Sequence, residues 1–189
     1  MTHVPVESFE ELYRADQDPW SFATSSYEQR RYDITVACLP EARYRSAFEP
    51  GCAIGELTRR LAARCDSVTA LDAAPTAVAV ARERCRGLPN VEIEVGELPD
   101  DWPAGRFDLV MLSELGYYFE LDALADLRDR AVGSLEAGGT LMAVHWRGAS
   151  DVHVLSGDAV HHCLVEGHDL RHLVHHREDD FLLDVWARR

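Results

Sequence analysis

Phe48-Glu49-Pro50-Gly51-Cys52-Ala53-Ile54-Gly55 is the stretch whose reading decides the fold of this chain. An acid closes a short apolar run, a turn of small residues follows, and a helical pattern begins. Small side chains suit a turn whose backbone must approach a ligand, because a Cβ larger than that of Ala53 would intrude. The spacing also separates two kinds of ligand. A dinucleotide loop would place small residues at 51, 53 and 56, but position 56 is Glu56, which would meet a pyrophosphate with like charge. Small residues at 51, 53 and 55 suit a ligand that carries no phosphate. The alternative reading is an ordinary strand-turn-helix with glycines.

Outward from this turn, strand-like and helix-like patterns alternate, the mark of an α/β parallel sheet. Strands are expected at 45–49, 67–72, 91–95, 107–113 and 140–146, with two more at 170–176 and 181–187. The run Phe107-Asp108-Leu109-Val110-Met111-Leu112-Ser113 is almost unbroken in apolar character, as in a strand buried on both faces. Helices are expected at 55–64, 75–86 with Pro75 at its first position, 121–135 closed by Gly138-Gly139, and 158–165. Upstream lies a segment rich in aromatics and charges. Phe9 and Tyr13 share a helical face, Asp18-Pro19-Trp20 breaks the chain, and 27–39 resumes as helix. It reads as a helical cap over 1–44 on a core over 45–189, within a single domain of 189 residues.

Composition narrows the function. The formal charge of −14 opposes nucleic acid as a partner, since phosphate binding relies on clustered basic side chains. All 19 basic residues are arginine, so no Schiff-base or P-loop lysine is available. The five cysteines, an odd set without a C-x-x-C pair, suggest neither a disulfide framework nor a zinc site. No apolar run reaches the roughly 20 residues of a membrane span, and the acidic N-terminus is unlike a signal peptide. A cytoplasmic protein without a membrane partner is expected.

Three further marks stand at strand ends. Asp72 closes the second strand, where a carboxylate can accept both hydroxyls of a ribose; Ala73 follows, and helix capping ahead of Pro75 is the plainer role. Val95-Gly96-Glu97-Leu98 follows the third strand, where Glu97 can receive an exocyclic amine and Leu98 can border a ring. A solvent-exposed acid is the alternative. Ser113-Glu114-Leu115-Gly116-Tyr117-Tyr118 follows the fourth strand, at the edge where open α/β sheets bind ligands.

With these marks the sequence resembles the class I S-adenosylmethionine-dependent methyltransferases. More narrowly it is similar to the nodulation protein S family of N-methyltransferases, which act on an amino sugar. The matching stretches are Asp18-Pro19-Trp20, Tyr27-Glu28-Gln29 with Arg31, Glu49-x-Gly51-Cys52-Ala53-x-Gly55, Phe107-Asp108-Leu109-Val110, and Glu114 with Tyr117-Tyr118. The resemblance runs from about Glu10 to the C-terminus. It implies a Rossmann-like, seven-stranded, mostly parallel sheet with helices on both faces and an antiparallel last strand. By position, Glu49 would lie near the methionine amino group, Asp72 on the ribose, and Glu97 and Leu98 at the adenine. Ser113 and Glu114 would hold the methionine part, and Gly51, Cys52, Ala53 and Gly55 would form the turn beneath it. Trp20, Tyr27 and Arg31 would belong to the cap, with Arg31 a partner for the cofactor carboxylate. His145-Trp146-Arg147 departs from the nodulation enzymes, so the amino-sugar acceptor does not transfer with the fold.

Methyl transfer from a sulfonium needs an unprotonated nucleophile aligned behind the methyl carbon and shielded from water. An amine acceptor is the first expectation and a hydroxyl the alternative, the latter requiring a general base. His145 is the first candidate for that base and Glu114 the second. Tyr117, Tyr118, His145, Trp146 and Arg147 are candidates for the acceptor wall, with core packing as the plainer role of the aromatics. A non-catalytic cofactor-binding protein of the same fold and a nicotinamide-dependent oxidoreductase are the other hypotheses, the latter disfavoured by Glu56. A monomer or homodimer is expected. His161, His162, His168, His172, His175 and His176 spread over a helix, a turn and a strand, and neighbouring strand residues point to opposite faces, so no metal is expected.

Overall fold

A computed structural model describes residues 5–167 and 170–189; His168 lies outside them. Among the described residues seven strands form one sheet in the order β3-β2-β1-β4-β5-β7-β6. These are β1 Tyr44–Pro50, β2 Cys65–Asp72, β3 Val91–Val95, β4 Phe107–Ser113, β5 Leu135–Trp146, β6 Leu170–Arg177 and β7 Phe181–Arg188. The first five pair in parallel, and β7 runs antiparallel between β5 and β6. The helices are α1 Val6–Ala15, α2 Ser26–Ala37, α3 Glu56–Ala62, α4 Pro75–Cys85, α5 Leu121–Ser134 and α6 Gly157–Val165. Among the described residues no helix is long and apolar enough to cross a membrane.

Alternation along β4 explains why both faces are covered. Leu109 and Met111 enter one apolar cluster with Leu57 and Leu61 of α3 and Tyr32 of α2. Val110 and Leu112 enter the opposite cluster with Leu124 and Leu127 of α5 and Leu164 of α6. Each such fully buried side chain contributes roughly 1.5–3 kcal/mol. Asp108 joins two strands at their entry ends: its Oδ1 accepts the N–H of Ser46 at 2.8 Å and its Oδ2 that of Arg45 at 2.7 Å.

The cap is fastened by polar contacts. Glu10 of α1 accepts the backbone N–H of Thr76 at 3.0 Å and its hydroxyl at 2.7 Å, at the N-terminus of α4, where unpaired N–H groups and the helix dipole favour an acid. Those bonds hold the Glu10 carboxyl below its ordinary range. Asp18 accepts the N–H groups of Phe22 and Ala23 at 2.7 and 2.9 Å, which makes the break at Asp18-Pro19-Trp20 a built turn.

Candidate active site

The turn after β1 is left-handed at three alternate residues, with φ of +71° at Gly51, +49° at Ala53 and +80° at Gly55. The N–H groups of Gly51 and Cys52 donate to the Leu71 carbonyl at 2.7 and 3.0 Å, so the turn hangs on the end of β2. Asp72 completes it: Oδ2 accepts the Ala53 N–H at 2.8 Å and Oδ1 the Ala74 N–H at 2.9 Å. Burial pushes the Asp72 carboxyl up in spite of these donors. A Cβ at Gly51 would come within 3.1 Å of Leu115 Cδ1, so the small residue is needed on the cavity side. At Gly55 a Cβ would instead meet Ala81 of α4 at 3.0 Å, and the demand there is helix packing.

Over this turn lies a cavity of about 480 Å³. Its floor is made by strand ends: Gly51, Ala53, Asp72, Ala73, Glu97, Leu98, Ser113 and Glu114. Its roof comes from the cap, with Phe9, Tyr13, Trp20, Phe22, Tyr27 and Glu28. Its side wall holds Leu115, Tyr117, Tyr118, Trp146, Ser150, Val152 and His153. Among the described residues four carboxylates line the space, from Glu28, Asp72, Glu97 and Glu114, and no arginine does.

Glu114 is the junction between floor, roof and wall. Its backbone is left-handed at φ +55°, an uncommon state for a residue with a long side chain. Its Oε1 accepts Arg31 Nη1 at 2.6 Å and the Trp146 N–H at 2.8 Å, and its Oε2 accepts the Tyr117 hydroxyl. Burial pushes this carboxyl up while Arg31 pulls it down. Arg31 is 1% exposed, bridges Glu28 and Glu114, and lies 5.3 Å from the centre of the Tyr32 ring. His153 lies flat on Tyr117, with ring centres 3.8 Å apart and an angle of 16°, and meets Tyr118 and Trp146 by its edges. Burial lowers the pKa of its imidazole, favouring the neutral ring.

Behind the wall runs a buried line of imidazoles. The Gly116 N–H donates to His145 Nε2 at 3.0 Å, which leaves Nδ1 of His145 to carry the proton. That Nδ1 donates to His161 Nε2 at 3.0 Å, and His161 Nδ1 donates to Asp184 Oδ2 at 2.6 Å. His145 is fully buried, and burial, then His161 and Arg31, push its pKa well down.

The sequence profile of the family described as Nodulation protein S (NodS) matches residues 7–144, most of the chain. The chain belongs to the nodulation protein S family. Nodulation protein S of Sinorhizobium fredii (strain NGR234) is 30% identical over 118 residues, 61% of this chain and 55% of that protein. The chain spans between half and two thirds of the length of its Nodulation protein S relatives. Among solved structures, a candidate methyltransferase from Pseudomonas syringae is 43% identical at a TM-score of 0.78, covering 87% of this chain and 100% of that one. The N-methyltransferase NodS of Bradyrhizobium japonicum WM9, in complex with S-adenosyl-L-homocysteine, superposes at a TM-score of 0.85 over 97% of this chain and 98% of that one. At 24% identity that agreement is one of fold.

Of the site residues named from sequence, most stand on the cavity surface, but six do not. Glu49 is 2% exposed, behind the turn; its Oε2 has no hydrogen-bond partner, and burial, with the charge of Asp72, pushes its carboxyl up to about 8. Cys52 is buried against α4 and Gly55 abuts the same helix, so neither reaches the cavity. Arg31 is not free for a ligand carboxylate, because Glu28 and Glu114 flank it. His145 stands under α6, with its one lone pair occupied by the Gly116 N–H, and cannot serve as a base toward the cavity. Arg147 points to Asp158 and to the carbonyls of Glu178 and Asp179. Glu56 also behaves otherwise than expected: Arg59, Arg60 and Arg84 surround its carboxylate, so it does not repel a ligand in the turn. What opposes phosphate is the acid-lined cavity itself. Phe9, Phe22, Glu28, Leu115 and His153 also line the cavity, beyond the site residues expected from sequence. Glu28 stood within a family stretch, whereas nothing in the sequence around His153 marks it.

Proposed function

We propose that this chain is an S-adenosylmethionine-dependent methyltransferase acting on the nitrogen of a small-molecule amine. The observation that carries the reading is the charge of the cavity, where four carboxylates and no guanidinium meet whatever binds. A dinucleotide or a carboxylate acceptor would meet like charge there; a sulfonium and an amine would not. The residues present suit the cofactor. The left-handed turn gives a close backbone approach at Gly51, an unpaired carboxyl oxygen of Glu49 lies behind it, an acid ends β2, and acids follow β3 and β4.

Bound S-adenosylmethionine would supply an electrophilic methyl group on a cationic sulfur. Asp72 would hold the ribose, Glu97 and Leu98 the adenine, and Ser113 with Glu114 the methionine part. The faces of Tyr118 and Trp146 favour a cationic guest and, with Tyr117 stacked under His153 and the aromatic roof, exclude water. His153 is placed to take a proton from the acceptor nitrogen, since its ring is kept neutral at the cavity wall. Glu114 positions rather than deprotonates: Arg31, Tyr117 and the Trp146 N–H already occupy its oxygens. The N-methyltransferase activity of the Bradyrhizobium relative supports the nitrogen-directed reading.

Thermal melting with S-adenosylhomocysteine and, separately, NAD tests the cofactor. Saturation at about 100 times Kd gives about 2.7 kcal/mol, a rise of roughly 5–10 °C for a domain of this size. A rise with NAD alone overturns the proposal. A panel of small amines, amino sugars, phenols and carboxylic acids, scored by S-adenosylhomocysteine release, tests the acceptor. Turnover confined to hydroxyl or carboxyl acceptors overturns the assignment to nitrogen.

A further inference from the structure

Away from the cavity, the outer strands gather imidazoles around one buried carboxylate. Asp184 is 4% exposed, and its Oδ1 lies 2.6 Å from His172 Nε2 and 2.8 Å from His175 Nδ1. The three candidate ligand atoms lie within 4.8 Å of one another. Strict alternation would send residues 172 and 175 to opposite faces of β6. The register shift between His172 and Val174 removes that conflict, and both rings reach the Asp184 side of the sheet. Among the described residues no guanidinium bonds Asp184; its polar partners are imidazoles only.

We propose that His172, His175 and Asp184 form a binding site for a divalent transition metal of the zinc class, separate from the cavity. Two imidazoles and a carboxylate are donors such ions accept, and the half-exposed rings leave further coordination positions open to water. His161 serves as the outer partner. By donating to Oδ2 it fixes the carboxylate so that Oδ1 faces the two rings, the arrangement that orients metal-bound carboxylates elsewhere. With metal–ligand distances of about 2.0–2.1 Å, tetrahedral ligands stand about 3.3 Å apart, so from 2.6 and 2.8 Å the rings of His172 and His175 would move away from Oδ1 by about 0.7 and 0.5 Å. A ring that bonds Asp184 through its N–H would shift that proton to its other nitrogen on coordination, with no net loss of protons. A net charge of −14 favours cation recruitment. The ion would pin the edge strand β6 to β7 and takes no part in methyl transfer.

The test uses the full chain, stripped with a chelator and titrated with zinc chloride by calorimetry and with cobalt chloride by visible absorption. One ion per chain is expected, with d–d bands of tetrahedral intensity for cobalt. Because both rings are half exposed, His172→Ala and His175→Ala keep the fold, and each weakens zinc binding at least tenfold. His161→Gln weakens it by about 10–100-fold. His162→Ala, a change to an exposed ring paired with Glu166, leaves binding unchanged. Absence of saturable zinc binding at micromolar concentration, or wild-type affinity in the His172→Ala/His175→Ala double variant, overturns the site.

Discussion

At the tip of β2, Asp72 receives two backbone N–H groups; within β7, Asp184 receives N–H groups from three imidazoles. Burial pushes both carboxyls up. At Asp72 burial prevails, whereas at Asp184 the bonds from His161, His175 and His172 outweigh it and the carboxyl is lowered. Glu49 and Glu114, at neighbouring strand ends, share the upward direction of Asp72. The contrast separates two regions of one sheet. Acids at the strand ends beside the turn are desolvated more than their partners compensate. The acid beneath the outer strands is answered by imidazoles, the groups with which it would share a divalent ion.

Three experiments sharpen that contrast. Glu49 has the largest expected effect. Its folded carboxyl, raised to about 8, holds a proton that the unfolded chain releases above about pH 4.5, so its contribution to stability falls as pH rises through that window. Glu49→Gln removes the titration. The difference in unfolding free energy between variant and wild type grows by on the order of 4 kcal/mol from pH 4.5 to 8, measured by denaturant unfolding. A pH-independent difference would place Glu49 with Asp184 among the answered acids.

Asp72→Ala comes next. It removes the anchor of the turn and the proposed ribose contact together, and S-adenosylhomocysteine should bind at least about tenfold more weakly in calorimetry, near the value of one charge-assisted hydrogen bond. An unchanged dissociation constant would contradict the ribose assignment. The smallest effect divides the two histidines on either side of Tyr117. His153→Asn should lower kcat/KM for an amine acceptor by up to about tenfold, while His145→Gln, which keeps an acceptor for the Gly116 N–H, changes it less than about twofold. The reverse order would move the proton acceptor to the buried line.

Much of the sheet was legible because its signals are local. The runs predicted at 91–95 and 107–113 coincide with β3 and β4, where five or more residues of apolar or alternating character speak for themselves. β5 begins earlier than expected, at Leu135: α5 passes directly into the strand, and Gly138-Gly139, read as a helix stop, lie within it. The strand-end acids were legible for the same local reason. His145 differs from its expected place because a position near the end of a strand need not face the crevice. Its side chain shares a face with Leu141 and Ala143 and turns under α6. His153 left no trace in sequence, because its place depends on stacking against Tyr117, which lies in another segment. Arg31 likewise meets Glu114 across 83 residues, a pairing that no spacing rule reaches.

The stretch between β5 and α6 belongs to neither the strand-end acids nor the buried imidazoles. It is tied at one end by the Arg147 N–H to the Asp180 carbonyl at 2.8 Å, and at the other by the Val154 N–H to the Tyr117 carbonyl at 2.8 Å. Between those ties sit Ser150, Val152 and His153, facing the cavity. Exchanging these few residues would re-tool the guest side of the pocket while the floor beneath it stayed as it is. In such an arrangement new acceptors can be acquired by loop replacement alone, without the sheet having to be reinvented.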